Sequence, residues 1–405
     1  MKQYLSLYSA LFLCLLLCFS CNSDDEETTT IPTLPRLTVN DYDILEGATG
    51  QQSLDIQVQI LDDYEGSLSV DYRTENISAQ YGLDFVRASG QIEFNAPEKE
   101  KTITLSIISD TIKEGNENFR LTFFNAVGIE MIKSRANIKI TNDDSETPQG
   151  VDGYETPEQY TGWNLVWADE FEGNALDTDT WTYELGDGCP ELCGWGNNEL
   201  ESYTNDPENV FVQDGQLTIR AIKTGTATTP YTSGRIITKG KREYEYGRID
   251  VRAKLPKGQG IWPAIWMLGA NIDQVSWPAC GEIDIMELIG HEPEVAHGTA
   301  HFGPAFPNNK FKTGSYSLTD GTDFSDRFHV FSVAWDVNTI YWYVDDFLYH
   351  ELGTGDMQGS AYPFNNDFFF IFNVAVGGNW PGPPDNSTVF PQEMVVDYIR
   401  VFQQE

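Results

Sequence analysis

Short segments in which apolar and polar residues alternate recur along nearly the whole chain of 405 residues. Clear examples are residues 54–60 and 102–108. Alternation with a period of two is typical of β-strands with one buried face, and Gly- and Asp-rich turns interrupt it about every ten residues. The pattern therefore predicts an all-β protein. The length and the hydrophobic content of 40% are sufficient for two packed domains.

The first residues of the chain indicate its compartment. Lys2 is followed by an apolar run from Tyr8 to Phe19 that is too short to span a bilayer, as in a signal peptide. The run ends at Cys21 before an acidic stretch, and residues 1–21 resemble a bacterial lipoprotein signal with Cys21 as the lipidated residue. We therefore expect an outer-membrane lipoprotein on the cell surface, held to the membrane through lipid only. Ordinary cleavage nearby would instead give a secreted protein.

Composition divides the rest of the chain into two domains. Residues 22–35 are acidic, Thr-rich and contain Pro, as in a flexible tether, and residues 145–158 form a second polar linker. Between them, residues 36–144 have the pattern of an antiparallel β-sandwich. Residues 159–405 are again strand-like and dense in Gly and aromatic residues, which predicts one larger sandwich.

The net charge excludes one class of partner. The chain has 25 basic and 62 acidic residues, a formal net charge of −37. Nucleic acids need a basic surface, and an anionic polysaccharide would also be repelled. The balance favours a neutral partner, and we expect the chain to act as a monomer.

Four cysteines remain outside the apolar part of the signal segment. Cys189 and Cys193 are close enough in sequence to close a small loop by a disulfide in an oxidising compartment, whereas a zinc site would need more ligands. Cys280 is predicted to be a buried free thiol.

Acidic residues of the first domain lie where strands are predicted to end. Acidic loop residues are usually solvated turn formers, but the order of the segments 71–74, 82–85, 90–94, 110–119 and 141–144 resembles a Calx-β domain, an immunoglobulin-like sandwich. The resemblance implies that clustered carboxylates bind structural calcium, although such a domain can also serve as a spacer or adhesive module. The candidate ligands are Glu46, Asp84, Asp110, Glu114, Glu117, Asp143 and Asp144.

The segment 279–289 carries the candidate chemistry. In a strand, Glu282 and Asp284 face one way and Ile283 faces the core, whereas Glu287 breaks the alternation. A bulge at Ile285–Met286 would return Glu287 to the acidic face. The two glutamates then lie roughly 13 Å apart along the backbone, and leaning side chains can approach the ~5 to 5.5 Å separation of a retaining glycosidase. Mutual repulsion of three acids would raise at least one pKa.

The alternative for this segment is an edge strand with an acidic outer face. Trp262 and Trp266, just upstream, favour a sugar site because pyranose rings stack on indole faces, although aromatic residues also fill cores.

Together these segments closely resemble glycoside hydrolase family 16, in its laminarinase-like branch, over residues 161–403. The matching motifs are residues 195–204, 231–235, 262–268, 282–287, 297–301 and 396–401. The resemblance implies a concanavalin-like β-jelly roll of two curved antiparallel sheets, with a glycan cleft along the concave face.

The resemblance also implies roles for the acids. Glu282 would be the nucleophile that forms a covalent glycosyl enzyme, and Glu287 would protonate the leaving oxygen and then activate water. Asp284 would assist by holding or sharing a proton. No cofactor is implied for the chemistry, and the anomeric configuration would be retained.

Further residues are implied as contacts. Asn198, Arg235 and Trp380 are candidate substrate contacts together with His301. The alternatives are a structural role for His301 and an ion-pair role for Arg235. The resemblance places a calcium ion on the face opposite the cleft, where Asp397, Glu172 and Gly215 would hold it.

Three functional hypotheses follow. The first is an endo-acting β-1,3-glucanase, a laminarinase, for which mixed-linkage β-1,3-1,4-glucan is a candidate secondary substrate. The second is a non-catalytic β-glucan-binding surface lipoprotein, against which the retention of Glu282, Asp284 and Glu287 argues. The third is an agarase of the same family. The sequence leaves open the preferred linkage and branching, endo or exo action, and the ligand of the first domain.

Overall fold

The computed structural model describes residues 34–109, 116–143, 149–150, 152–227 and 229–404. It is almost entirely β-structure and forms two sandwiches, which confirms the predicted fold class. Cys21, Asp110, Glu114 and Asp144, for which the sequence predicts lipidation or calcium binding, lie outside the described residues. In the described part of the chain, no helix has the length and apolar character needed to cross a membrane.

The first sandwich has a four-stranded sheet in the order β6-β3-β1-β8 and a five-stranded sheet in the order β2-β9-β7-β4-β5. Its strands are Arg36–Val39 (β1), Tyr42–Leu45 (β2), Gly50–Ile60 (β3), Ser67–Asn76 (β4), Ser89–Asn95 (β5), Glu100–Ser109 (β6), Glu117–Val127 (β7), Glu130–Met131 (β8) and Arg135–Thr141 (β9). Alternate residues such as Ile56 and Val58 enter the core between the sheets, as period-two patterning predicts.

Several acidic residues of this domain meet at one end of the five-stranded sheet. Glu46 follows β2, Glu117 begins β7 and Asp143 follows β9, and these three strands are neighbours. Asn142 donates to the Glu46 carboxylate over 3.0 Å, and the Gly47 amide donates to Asp143 over 2.9 Å. The buried carboxylate of Asp84 accepts from the Gln80 amide at 2.6 Å. Calcium binding at this end stays a prediction.

The second sandwich contains the strands that follow. They are Gln149–Gly150 (β10), Gly153–Tyr154 (β11), Trp163–Asp169 (β12), Thr182–Tyr183 (β13), Glu201–Tyr203 (β14), Val210–Gln213 (β15), Gln216–Lys223 (β16), Tyr231–Ser233 (β17), Arg235–Ile237 (β18), Glu243–Tyr244 (β19), Gly247–Lys254 (β20), Ile261–Gly269 (β21), Glu282–Glu287 (β22), Val295–Phe302 (β23), Lys310–Ser317 (β24), His329–Trp335 (β25), Thr339–Val344 (β26), Phe347–Gly353 (β27), Phe368–Val376 (β28) and Gln392–Gln404 (β29). One short α-helix, Ile272–Val275 (α1), and two 3-10 turns, Cys193–Gly196 and Thr354–Asp356, complete the described elements.

Two large sheets enclose the core of this sandwich. The ten-stranded sheet runs β14-β17-β16-β29-β20-β25-β26-β27, with β12 paired to β29 and β15 to β16. β10 and β11 form a separate two-stranded sheet. The eight-stranded sheet runs β13-β18-β28-β21-β22-β23-β24, with β19 paired to β28. The pairing is antiparallel except between β14 and β17, a short parallel pair that the sequence did not predict.

The two sheets pack through their apolar faces. Ile249 and Ile399 of the ten-stranded sheet enter the same core as Ile265 and Ile283 of the eight-stranded sheet. The predicted catalytic segment is therefore not an edge strand with an acidic outer face, because β22 is paired on both sides and buries its apolar side chains.

Candidate active site

The acidic motif forms strand β22, and its bulge lies where the sequence predicts it. On one side Glu282 pairs with Leu268 and Glu287 with Ala264, with an irregularity between Ile265 and Trp266. On the other side the register shifts between Asp284 and Glu287. Ile285 and Met286 are both buried in the core. The extra residue therefore returns Glu287 to the face that carries Glu282, which confirms the predicted bulge.

The opposite sheet supports this bulge. Trp342 of β26 is fully buried, and its indole nitrogen donates a 2.8 Å hydrogen bond to the backbone carbonyl of Asp284. The bulge takes residues out of the ladder, so a carbonyl beside it needs another donor. A tryptophan that crosses the core from the ten-stranded sheet supplies this donor.

Each of the two glutamates accepts a hydrogen bond from a different tryptophan. Trp277 donates to Glu282 Oε2 over 3.0 Å, and Trp262 donates to Glu287 Oε1 over 3.0 Å. His301 Nε2 lies 3.6 Å from Glu282 Oε1 and 3.4 Å from Asp284 Oδ2. The two glutamates therefore have different surroundings, because the histidine lies on the Glu282 side.

All three acids have raised pKa values. Burial raises the pKa of Glu282 to about 7, and the neighbouring Asp284 adds to the shift, while His301 opposes it. Burial also raises the pKa of Glu287 well above its usual range, again with a contribution from Asp284. Repulsion among the acids, the cause that the sequence suggested, is thus secondary to burial. Burial also raises the pKa of Asp284, and His301 opposes this shift without cancelling it.

The acids around His301 favour its protonated form. Burial lowers its pKa, but the hydrogen bond with Asp284 and the charge of Glu282 outweigh burial and raise the pKa to about 9. His301 is paired across the strands with Glu282, so it lies beside the acidic cluster. Glu282, Asp284 and His301 also present ligand atoms within 4.8 Å of one another, close enough to hold a metal ion, although the chemistry of two glutamates does not require one.

The Glu287 end of the site has an aromatic wall. The rings of Trp262 and Trp380 meet edge to face at 5.6 Å, and Trp380 is 41% exposed. His297, which pairs with Glu287 across the strands, lies 5.1 Å from the Trp380 ring. Asn198 donates over 2.7 Å to Asn379, the residue before Trp380. The predicted contacts Asn198, Trp262 and Trp380 therefore lie together.

Arg235 and Trp266 lie in a polar network. Arg235 Nε donates to Glu184 over 2.5 Å, and the guanidinium lies 5.0 Å from the Trp266 ring centre. Trp266 Nε1 donates to Asn373 over 2.8 Å. Arg235 is therefore an ion-pair partner, the alternative that the sequence left open. Its charge also favours the ionised form of Glu282 and so lowers that pKa.

The loop on the Arg235 side is closed by a disulfide. Cys189 and Cys193 are bonded, as the sequence predicts, and Cys280 is a buried free thiol whose pKa burial raises to about 11. Trp195, two residues after the bridge, lies 4.4 Å from the Arg235 guanidinium. The bridge thus holds the loop that contacts Arg235.

The positions predicted for a structural calcium ion lie in one part of the ten-stranded sheet. In strand β29, Ile399 pairs with Asp169 of β12, and Val396 pairs with Leu217 of β16. Asp397 therefore lies between the segment that leads to Glu172 and the turn that contains Gly215. Asp397 also accepts a 2.7 Å hydrogen bond from Arg252, a cationic partner that the prediction did not include. Calcium at this site stays a prediction.

Sequence reasoning missed several residues of the site. Trp277 lies outside the strand, five residues before Glu282, and only the turn that follows α1 brings its indole to the carboxylate. Trp342, Glu184 and Asn373 are distant in sequence from the residues they contact, so no local spacing marks them. For Trp277, its nearness to the acidic motif in the sequence was the one signal that could have indicated a role in the site.

Two partly exposed glutamates beside indole rings, on the outer face of a jelly-roll sheet, define the site of a glycoside hydrolase. The chain belongs to glycoside hydrolase family 16. The sequence model described as "Glycosyl hydrolases family 16" matches residues 197–400, and the one described as "Calx-beta domain" matches residues 32–144. A third, described as "Beta-glucan synthesis-associated protein", matches residues 102–282.

Named relatives are similar to more than half of the chain. The chain is 41% identical over 270 residues to glucan endo-1,3-beta-glucosidase A1 of Niallia circulans, a match that covers 62% of this chain and 40% of that protein. It is 40% identical over 251 residues to a beta-glucanase of Rhodothermus marinus, covering 60% and 85% respectively. The laminarinase catalytic domain of Thermotoga maritima superposes with a TM-score of 0.56 at 48% identity, covering 60% of this chain and 99% of that domain.

Proposed function

We propose that this protein is a retaining endo-hydrolase of β-1,3-glucan. The observation that carries the proposal is the bulged strand β22, which places Glu282 and Glu287 on one face with different partners. The names of the similar proteins, glucan endo-1,3-beta-glucosidase and laminarinase, support the glucan as substrate.

The reaction proceeds in two displacements. Glu282 attacks the anomeric carbon while Glu287 donates its proton to the leaving glycosidic oxygen, so that a glycosyl enzyme forms and one half of the chain departs. The carboxylate of Glu287 then takes a proton from water, which attacks the same carbon and releases Glu282. Two inversions at one carbon retain the configuration.

The environments of the two glutamates suit these roles. His301 and the indole of Trp277 both favour the ionised form of Glu282, which the nucleophile requires. Glu287 lacks the histidine at this distance, and burial keeps its proton bound well above the pH at which a free glutamate loses it. Of the two glutamates, Glu287 therefore has the surroundings that favour holding the proton to be delivered.

Substrate class is tested with purified protein on laminarin, lichenan and agarose. Laminarin should give the most reducing ends, and an early mixture of long and short oligosaccharides would indicate endo action. Proton NMR during hydrolysis should show β-anomeric product first. Inverted product, or cleavage of agarose alone, would contradict the proposal, and laminarin binding without cleavage would instead identify a binding protein.

The nucleophile is tested with Glu282→Gln, a nearly isosteric change. We expect turnover of laminarin to fall by about three orders of magnitude or more, because the covalent step is lost, with an unchanged melting temperature. Glu208→Gln, in an exposed turn, is the matched control and should keep full activity. Substantial activity in Glu282→Gln would refute the assignment.

We also propose that lipid at Cys21 holds the enzyme on the outer surface of the cell. The lipoprotein-like signal in residues 1–21 supports this location. Cys21→Ser should move laminarinase activity from the membrane fraction to soluble fractions, and protease added to intact cells should remove the wild-type protein. Activity in the medium of wild-type cells would indicate ordinary secretion.

A further inference from the structure

A cleft of about 870 Å³ lies where the two sandwiches meet. One wall comes from β4 and β5 of the first domain. The other comes from the start of β12, the start of β20 and the turn between β25 and β26, which all belong to the ten-stranded sheet. The catalytic glutamates lie on the eight-stranded sheet, so this cleft is separate from the active site. Its volume is within the ~300–1,000 Å³ typical of ligand sites.

The domain seam at the floor of the cleft is closely packed. Tyr81 and Trp163 stack with ring centres 6.0 Å apart, and Trp163 Nε1 donates to the Tyr81 carbonyl over 3.4 Å. Gly82 has a φ of +88°, and a Cβ there would lie 2.3 Å from the Trp163 indole nitrogen. The close approach requires glycine, so the two walls are held in a defined relation.

Aromatic rings line both the floor and the catalytic-domain wall. Trp163, Tyr246 and Tyr341 are all partly exposed and border the cleft. Partly exposed aromatic rings with polar groups around them suit ligands that have apolar faces and polar edges, as pyranose rings do.

The remaining lining suits an uncharged ligand rich in hydroxyls. Asn76, Asn338 and Gln404 contribute amides, which both donate and accept hydrogen bonds. Two basic and three acidic side chains border the cleft, and the guanidinium of Arg73 is already paired with Glu75 at 2.9 Å. An anionic ligand would therefore find little uncompensated positive charge.

We propose that this interdomain cleft is a second, non-catalytic binding site for a neutral oligosaccharide, namely a segment of the glucan that the enzyme cuts. The choice of glucan rests on the proposed function. A second site on the same molecule keeps the polymer near the enzyme after each release from the catalytic cleft, through a higher effective concentration.

The test uses the full chain with Glu282→Gln, so that the probe is not hydrolysed. Calorimetric titration with laminarihexaose should give two sites per chain. Adding Ser89→Trp, which fills the cleft from β5, should leave one. Adding Asn338→Ala, which removes one amide while its backbone contacts persist, should weaken one site by about tenfold. Glu93→Trp, exposed on the same strand but outside the lining, is the matched control.

In the active enzyme, Ser89→Trp should lower kcat/KM several-fold on long laminarin and leave that on laminaritetraose unchanged. The proposal would be overturned if Glu282→Gln alone bound laminarihexaose at a single site. It would also be overturned if adding Ser89→Trp and adding Asn338→Ala each left two unchanged sites. Failure of the wild type to cut laminarin would instead refute the proposed function, so the two failures are distinguishable.

Discussion

The ionisation of Glu282 depends on His301, which lies 3.6 Å from its carboxylate and has a pKa raised to about 9 by its acidic neighbours despite burial. Since the nucleophile must be ionised, kcat/KM should fall as pH drops below the Glu282 pKa of about 7. Loss of activity at high pH should follow deprotonation of Glu287, whose pKa burial raises.

The contribution of this histidine is tested with His301→Gln. Removing the imidazolium raises the pKa of Glu282, so the acidic limb of the kcat/KM profile should move upward by about one pH unit. The exposed His291→Gln is the control and should leave the profile unchanged. An unmoved acidic limb in His301→Gln would show that His301 does not set this ionisation.

At the scale of residues, the sequence predicted the acids because they are adjacent on one strand. Glu282, Asp284 and Glu287 lie within six residues, where strand parity decides which side chains share a face. Trp277 escaped prediction because a turn, not a strand, brings it to Glu282. Arg235 was ambiguous because its partner Glu184 is 51 residues away.

At the scale of elements, strand β22 depends on a partner from the other sheet. The buried Trp342 donates to the carbonyl of Asp284 beside the bulge. The sequence indicated the bulge, because Glu287 follows Glu282 by five positions, and in a regular strand an odd spacing puts two side chains on opposite faces. It could not show what supports the bulge, since β26 begins more than 50 residues later.

Trp342→Phe tests this support. The ring keeps most of the core volume, but a buried carbonyl loses its donor, so stability should fall by about 1–3 kcal/mol. Turnover should fall by about tenfold, because Glu287 shifts relative to Glu282. Trp181→Phe is the matched control, since that buried indole donates over 2.8 Å to Asp169, away from the bulge. Equal losses of turnover in both variants would contradict the role of Trp342.

At the scale of the whole molecule, the two-sandwich architecture was predictable because period-two alternation and linker composition are both written in the sequence. Contacts between the sandwiches were not, because Tyr81 and Trp163 lie on opposite sides of the linker and neither has a distinctive motif. The interdomain cleft is a consequence of that packing.

Calcium binding by the first domain belongs to the scale of the whole molecule, because it should change the stability of that domain and not the catalytic reaction. Free calcium at a hundred times its dissociation constant should stabilise the domain by about 3 kcal/mol, visible as a higher first transition in calorimetry. Glu117→Gln should remove much of the effect and Glu93→Gln, on exposed β5, should not. A chelator should leave laminarin turnover unchanged. A calcium-insensitive first transition would refute the site.

The net charge of −37 predicts how the enzyme distinguishes neutral from charged glucans. Laminarin carries no charge, so its KM should change by less than about twofold between roughly 0.02 and 0.5 M salt. Sulfated laminarin has the same backbone but is repelled, and salt screens that repulsion. Sulfated laminarin should therefore inhibit laminarin hydrolysis with a lower inhibition constant as the salt concentration rises. Tighter inhibition at low salt would show that local positive charge at the cleft, such as that of His301, outweighs the field of the whole molecule.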